Sequence, residues 1–228
     1  MGLGQSVHRS GNYTSVRLLH NVSGAPNVDV YVDGRKRVGN VSYKDFTDYL
    51  RLPSGLHSLV VKAAGAKKSD KALLHKTLPV KRCKYYTLIV SGDVEDLDCT
   101  LTVLPILDES KDECENLERD PEMSYLRFVH AAATVGAVDV WSRADDGDVL
   151  TFDNFEYKDA AKYLKFNPGD LTLIVSPTGN LDNVLLGPVL LTLEKGKTYS
   201  VVATGVVDSV DTPFDAVLLV DRDLYVCL

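Results

Sequence analysis

Apolar and polar residues alternate with a period of two along much of the chain. Val28, Val30 and Val32 are separated by Asp29 and Tyr31, while Leu59 and Val61 alternate with Val60 and Lys62. Successive side chains of a strand point to opposite faces, so this pattern predicts strands with one face buried. Apolar runs such as "YYTLIV" and "YSVVATG" are β-branched and aromatic, and the breakers "VDG", "LPSG" and "NPGD" interrupt them at short intervals. Only "FTDYL" suggests a helical period. The rhythm is that of roughly seven or eight short strands in about 100 residues, the size of an immunoglobulin-like sandwich.

The pattern is written twice. "VRLLHNVSGAPNVDVYVDG" from Val16 returns as "LRFVHAAATVGAVDVW" from Leu126, placing His20 over His130, Asp29 over Asp139 and Tyr31 over Trp141. "GNVSYKDFTDYLRLPSGLHSLVV" from Gly39 matches "DNFEYKDAAKYLKFNPGDLTLIV" from Asp153, with a changed offset that implies a four-residue insertion around Ala144 to Gly147, expected to enlarge a loop. "KYYTLIVSG" from Lys84 matches "KTYSVVATG" from Lys197, and "LPILDE" from Leu104 is aligned with "LLVDRD" from Leu218. The fold expected is therefore all-β, with two tandem immunoglobulin-like antiparallel β-sandwich domains. A leader covers residues 1–13, the first repeat 14–109, an acidic linker 110–123 and the second repeat 124–228. Each repeat carries a full set of alternating strands, which predicts that it folds on its own. The Cys-Trp-Cys core of antibody domains is absent.

The opening phrase, followed by "NVSY", "YLRLPSGLHSLVV" and "YYTLIVSG", closely resembles the domain-of-unknown-function family 4397. Members of that family resemble one another in a strand ending in His, a loop with prolines, a "VDVYVDG" strand, a "Y-x-x-L-P-A-G" hairpin and a late "Y-T-V-x-x-x-G" strand. Both repeats are similar to this pattern, the first more faithfully. The second departs at "ATVGAVDVWSRADDG", which lacks the proline and enlarges the "YVDG" turn. The resemblance implies a β-sandwich, commonly tandem and often on exported or surface proteins. It implies no enzymatic activity and brings no catalytic residues.

Composition narrows the partners. A net charge of -7 and a pI near 5.2 oppose binding to nucleic acid, whose affinity rests on clustered Lys and Arg. No run of apolar residues reaches the roughly 18 to 20 that a membrane-spanning helix requires. The polar, glycine-rich start has no apolar core of the secretory type, which points to a cytoplasmic or particle-assembled chain rather than a secreted one. Met1-Gly2-Leu3-Gly4-Gln5-Ser6 fits the myristoylation pattern, making Gly2 a candidate lipidation site. One acyl chain gives only marginal membrane binding, and no polybasic run follows to reinforce it.

Cys83 and Cys99 lie equidistant from Ser91, so a symmetric hairpin turning there would oppose them within disulfide reach. The reduced state is the alternative for a chain that is not exported. No CxxC spacing suggests zinc. The repeated His20, Asp29, His130 and Asp139 combine imidazole and carboxylate, the usual ligands and proton carriers. One His per repeat nevertheless falls short of the three ligands of a catalytic zinc. These four, with Tyr43 and Tyr157 of the repeated "YKD", read as structural positions that fix loops and turns. No cofactor is expected. Three N-glycosylation sequons begin at Asn12, Asn21 and Asn40. The function expected is a non-enzymatic structural or protein-interaction scaffold, such as a component of a virion or surface layer. The alternative is a carbohydrate- or small-ligand-binding module in which Tyr31, Tyr43, Tyr49, Trp141, Tyr157 and Tyr163 stack on the ligand; a hydrolase using His and Asp is a third class.

Overall fold

The computed structural model describes residues 12–93, 101–108 and 120–221, and these contain strands and no helix. In the first half the strands are β1 (Tyr13–Ser23), β2 (Val28–Val32), β3 (Arg35–Val41), β4 (Leu50–Pro53), β5 (Gly55–Ala63), β6 (Leu74–Val80), β7 (Tyr85–Asp93) and β8 (Thr102–Asp108). The second half repeats them as β9 (Ser124–His130), β10 (Val138–Ala144), β11 (Gly147–Phe155), β12 (Leu164–Phe166), β13 (Gly169–Pro177), β14 (Leu186–Leu193), β15 (Thr198–Thr204) and β16 (Asp215–Asp221). Each half is a sandwich of two four-stranded sheets, ordered β4-β1-β7-β8 and β3-β2-β5-β6 in the first, β12-β9-β15-β16 and β11-β10-β13-β14 in the second. The expected pair of tandem all-β sandwiches is what the chain forms.

The pairing is not purely antiparallel. β1 runs parallel to β7 from Ser15↔Tyr85 to Ser23↔Asp93, and β9 runs parallel to β15 from Tyr125↔Thr198 to His130↔Ala203. Parallel neighbours need a long crossover. Here the crossover is the whole of the opposite sheet, so a local reading of hairpins could not reveal the contact.

Alternation decides what each face meets. Val16, Leu18, Tyr86, Leu88 and Val90 of β1 and β7 face Val28, Val30, Leu59 and Val61 of the opposite sheet and fill the first core. Leu126, Phe128, Tyr199 and Val201 do the same in the second half against Val138, Val140, Leu173 and Val175. The intervening residues are equally buried. Leu19, Ile89, Leu104 and Ile106 of the first half form a third apolar cluster with Val129, Ala131, Val202 and Leu219 of the second. The sheets holding β1 and β9 therefore pack on each other as two inner layers, with the other two sheets outside. The continuous runs "YYTLIV" and "YSVVATG" belong to strands buried on both faces, which explains their lack of polar alternation.

Two sequence expectations change here. The four extra residues near Ala144 to Gly147 do not enlarge a loop. The first-half hairpin closes at Val32↔Arg35 around Asp33 and Gly34, both at positive φ, whereas the second continues through Ser142↔Val149, Arg143↔Asp148 and Ala144↔Gly147 before an equally short turn at Asp145 and Asp146. The insertion lengthens the hairpin by two residue pairs. The alignment of "LPILDE" on "LLVDRD" is also one residue out of step: Tyr85↔Asp108 and Thr198↔Asp221 are equivalent pairs, so Asp108 corresponds to Asp221. A slip of one exchanges the faces of a strand.

The shared cluster also bears on autonomous folding, because an isolated half would expose Leu19, Ile89 and their neighbours to water. Leu19→Ala, made in the first half, is expected to lower stability by about 2 to 5 kcal/mol, the usual cost of emptying such a buried site. Trp141, the single tryptophan, reports on the second half. Denaturant unfolding followed by Trp141 fluorescence should show its midpoint shifted by this substitution; an unmoved midpoint would mean that the halves unfold independently.

Candidate functional site

The largest concentration of buried polar groups lies between the inner sheets. Arg17 of β1 donates from Nε to Thr87 Oγ1 at 2.8 Å and from Nη1 to the Val220 carbonyl at 3.0 Å, and its Nη2 pairs with Asp221 of the other half. Arg127 of β9 repeats every contact: Nε donates to Ser200 Oγ at 2.7 Å, Nη1 to the Leu107 carbonyl at 2.8 Å, and Nη2 pairs with Asp108. The arginine pairs are thus crossed, each taking its nearest counterion from the opposite half, and Arg127 Nη2 also lies 4.0 Å from Asp221 Oδ2 of its own half.

Hydroxyl groups complete the cluster. Thr87 and Tyr49 both donate to Asp108 Oδ2 at 2.8 Å, and Ser200 and Tyr163 donate to Asp221 Oδ2 at 2.6 and 2.7 Å. The Tyr49 ring lies 4.9 Å from the Arg17 guanidinium and the Tyr163 ring 4.5 Å from that of Arg127, so each cation also faces a π-system. Burial, then the nearby Asp108, pushes the Asp221 carboxyl above the usual carboxylate range, while Arg127, Arg17 and the Ser200 hydroxyl oppose that shift. Three donors aim at the Asp221 oxygens, an arrangement that suits the ionised form. Tyr49 and Tyr163 are pushed upward, first by burial and then by the adjoining carboxylates, so both remain phenols that donate.

The repeated residues singled out by sequence separate into two groups. Tyr43 and Tyr157 reach the junction: Tyr43 Oη lies 2.8 Å from Thr204 Oγ1 and Tyr157 Oη 3.1 Å from Ser91 Oγ. Behind them stand His20 and His130, whose Nε2–H groups donate to the Pro26 and Gly136 carbonyls at 3.1 and 3.0 Å and hold the following loop. The "YKD" segments dock on the same strands, with Lys44 N and Lys158 N donating to the His20 and His130 carbonyls at 2.9 and 2.8 Å.

Asp29 and Asp139 lie instead on the outer sheets. Asp29 accepts from the Asn40 and Gly65 amides at 3.0 and 3.1 Å, and Asp139 from those of Asn154 and Gly179 at 2.8 Å. Lys36, 2.7 Å from Asp29, together with those two amides, holds the Asp29 carboxyl below its usual range against the effect of burial. Histidine and aspartate therefore tie different loops, and the structure brings neither pair together as ligands or as an acid and base. Among the described residues no group of three His, Cys, Asp or Glu could hold a metal ion. A cavity of about 20 Å³ in the first core is lined mainly by apolar side chains, including Val16, Val30, Leu59 and Leu88, and has room for about one water molecule.

The chain does not turn at Ser91 in the way that would oppose Cys83 and Cys99, because β7 pairs with β8 from Tyr85↔Asp108 to Ser91↔Thr102. Cys83 is exposed in the turn before β7, and Cys99 lies outside the described residues, as does Gly2. Of the sequon asparagines, Asn12 and Asn40 are exposed, whereas Asn21 is buried and donates from Nδ2 to the Ala131 carbonyl at 2.9 Å, leaving no access for a glycan. Arg17, Arg127, Asp108 and Asp221 were not distinguished by sequence as site residues. The repeated "VRLLH" and "LRFVH" contain the arginines, a charged side chain in each otherwise apolar strand.

A family described as a domain of unknown function (DUF4397) matches residues 14–116 and 124–225. No curated protein matches the chain. Among solved structures, the TIE protein of Bacillus anthracis is 13% identical, with 85% of this chain covered and a TM-score of 0.28; this chain spans about a third, 34%, of that one. A family CBM26 module, CBMbc of Eubacterium rectale Amy13K, solved with maltoheptaose, is 12% identical with a TM-score of 0.26, covering 92% of this chain and 97% of its own. A leucine-rich repeat protein of Bacteroides thetaiotaomicron is 15% identical with a TM-score of 0.22, covering 83% and 26%. Similarities at these scores carry no argument about function.

Two outcomes follow from the junction. Arg17→Met removes the nearer cation of the buried Asp221, leaving Arg127 at 4.0 Å, and should cost about 3 to 5 kcal/mol, read as a lowered denaturation midpoint. Acidification should also weaken the fold, because burial lowers the pKa of His20 and His130 from 6.5. The unfolded chain then binds the extra protons, so stability falls as pH drops through 6.5 toward the lower folded values. His57, raised by its Asp33 and Pro53 partners despite burial, and Asp221, raised by burial, act in the opposite sense. A His20→Gln/His130→Gln variant compared with the parent across this range isolates the two buried rings, and its stability should fall less steeply with acidification.

Proposed function

The chain belongs to the DUF4397 family, in two tandem copies, and on that premise we propose that it is a non-enzymatic protein-interaction scaffold that works within a larger assembly. The observation that carries this reading is the deployment of its polar side chains. Among the described residues, the repeated His, Asp, Tyr and Arg side chains are spent on the junction and on loop closure, as the Arg17–Asp221 pair and the His20–Pro26 bond illustrate. The outer sheets and their edges are left as the surfaces by which a partner would be held.

The ring positions favour this reading over carbohydrate binding. Tyr43, Tyr49, Tyr157 and Tyr163 place their hydroxyls in contacts at the junction, so they cannot form an open stacking row. Tyr31 and Trp141 remain at equivalent, half-buried positions on separate outer sheets. Two linked, similar binding units gain strength from effective concentration even when each contact is weak.

Crosslinking mass spectrometry on native material tests the reading, with dense crosslinks from both halves to neighbouring chains as the expected result. A chain that yields no protein crosslinks and turns over a small substrate would overturn it.

A further inference from the structure

The two halves share a fold but carry opposite charge. Among the described residues the first half has 14 Lys and Arg against 7 Asp and Glu, and the second has 7 against 16. The contrast is sharp at equivalent places, the edge strands β3 and β11 of the outer sheets. β3 begins Arg35-Lys36-Arg37, all exposed. The turn into β11 reads Asp145-Asp146-Gly147-Asp148, and Asp153 follows farther along the strand. Lys36 is paired with Asp29 and Asp148 with Arg143. Arg35 and Arg37 on one edge, and Asp145, Asp146 and Asp153 on the other, form no ion pair among the described residues.

Both strands are open for pairing. Each ends its sheet, and no described strand lies beyond it. The two extra residue pairs of the β10–β11 hairpin carry its acidic turn about 7 Å farther than the first-half hairpin reaches, at roughly 3.3 Å per residue. The lengthened strand also exposes Val149 at 52% and Leu150 at 41%. An open strand edge is a template for another chain, and charges placed along it choose which chain. A β3 edge meeting a second β3 edge would oppose arginines, and two β11 edges would oppose aspartates. Only β3 against β11 brings unlike charges together.

We propose that this chain assembles head to tail with further copies of itself, the acidic β11 edge of one copy pairing along the basic β3 edge of the next. The proposal rests on the scaffold reading and names its partner as a second copy of the chain. Each molecule carries one edge of each sign, so the contact is heterologous and, unless the rotation closes a ring, extends as an open filament of fixed direction. The charge contrast that distinguishes the halves is then what gives the filament its polarity.

Sedimentation of the full chain over a concentration series, at about 0.1 M and about 1 M salt, tests this, since the screening length falls from about 10 Å to about 3 Å between them. The weight-average mass should rise at least about twofold above the single chain at the lower salt and return toward it at the higher. Arg35→Glu/Arg37→Glu makes both edges acidic, and Asp145→Lys/Asp146→Lys/Asp153→Lys makes both basic. Each variant alone should remain a single chain, with an unchanged Trp141 unfolding midpoint showing that it is folded, and an equimolar mixture should assemble again. A parent chain that stays single at the lower salt overturns the proposal, as does a mixture of the folded variants that does not assemble. If the parent stays single while native material still crosslinks to other proteins, self-pairing is wrong and the scaffold reading stands.

Discussion

Two guanidinium groups buried between two β-sheets impose the strictest condition on this molecule. Removing a charge from water costs several kcal/mol unless a counterion and hydrogen bonds replace the solvent. Arg17 and Arg127 find their nearest counterions across the junction, in Asp221 and Asp108, while Thr87 and Ser200 occupy their remaining Nε donors. Within its own half Arg17 has no ion pair among the described residues and Arg127 has only the longer 4.0 Å approach of Asp221, so the hydrogen-bonded carboxylates come from across the junction. The apolar cluster around Leu19, Ile89, Val129 and Val202 supplies the hydrophobic drive for the contact, and the crossed ion pairs set its register.

That register accounts for much of the remaining design. Because the inner sheets are covered on both sides, their central strands are largely apolar on both faces, and the polar exceptions outside the clamp, such as His20, Asn21, Ser91 and His130, are hydrogen-bonded. The loops that approach the junction are held by repeated devices: His20 and His130 grip the chain six residues ahead, and Tyr43 and Tyr157 extend to hydroxyls of the opposite half. Asp29 and Asp139 perform the corresponding task at the outer sheets, each collecting two loop amides. Imidazole and carboxylate recur because the same loops have to be closed twice.

The halves differ visibly at the outer hairpins, which this frame does not constrain. The outer hairpins differ in length by two residue pairs and in charge from Arg35-Lys36-Arg37 to Asp145, Asp146 and Asp148, although their strands occupy equivalent positions. A buried junction penalises any unmatched change, whereas an exposed edge accepts new charge at little cost in stability.

The strands, the duplication and the family are legible in the sequence, because alternation at Val28, Val30 and Val32 and the echo of His20 in His130 are local signals that survive without contacts. It also marked Tyr43, Tyr157 and the two aspartates as positions the fold reuses. What it could not supply was the partner of any residue distant along the chain. The Arg17–Asp221 pair spans 204 positions, and the parallel pairing of β1 with β7 is separated by an entire sheet. A one-residue misalignment of the final strands was enough to hide that Asp108 and Asp221 are equivalent. Local periodicity states that a side chain is buried; the packing of the sheets sets against what, because a strand buried on both faces carries no mark of which sheet covers each one.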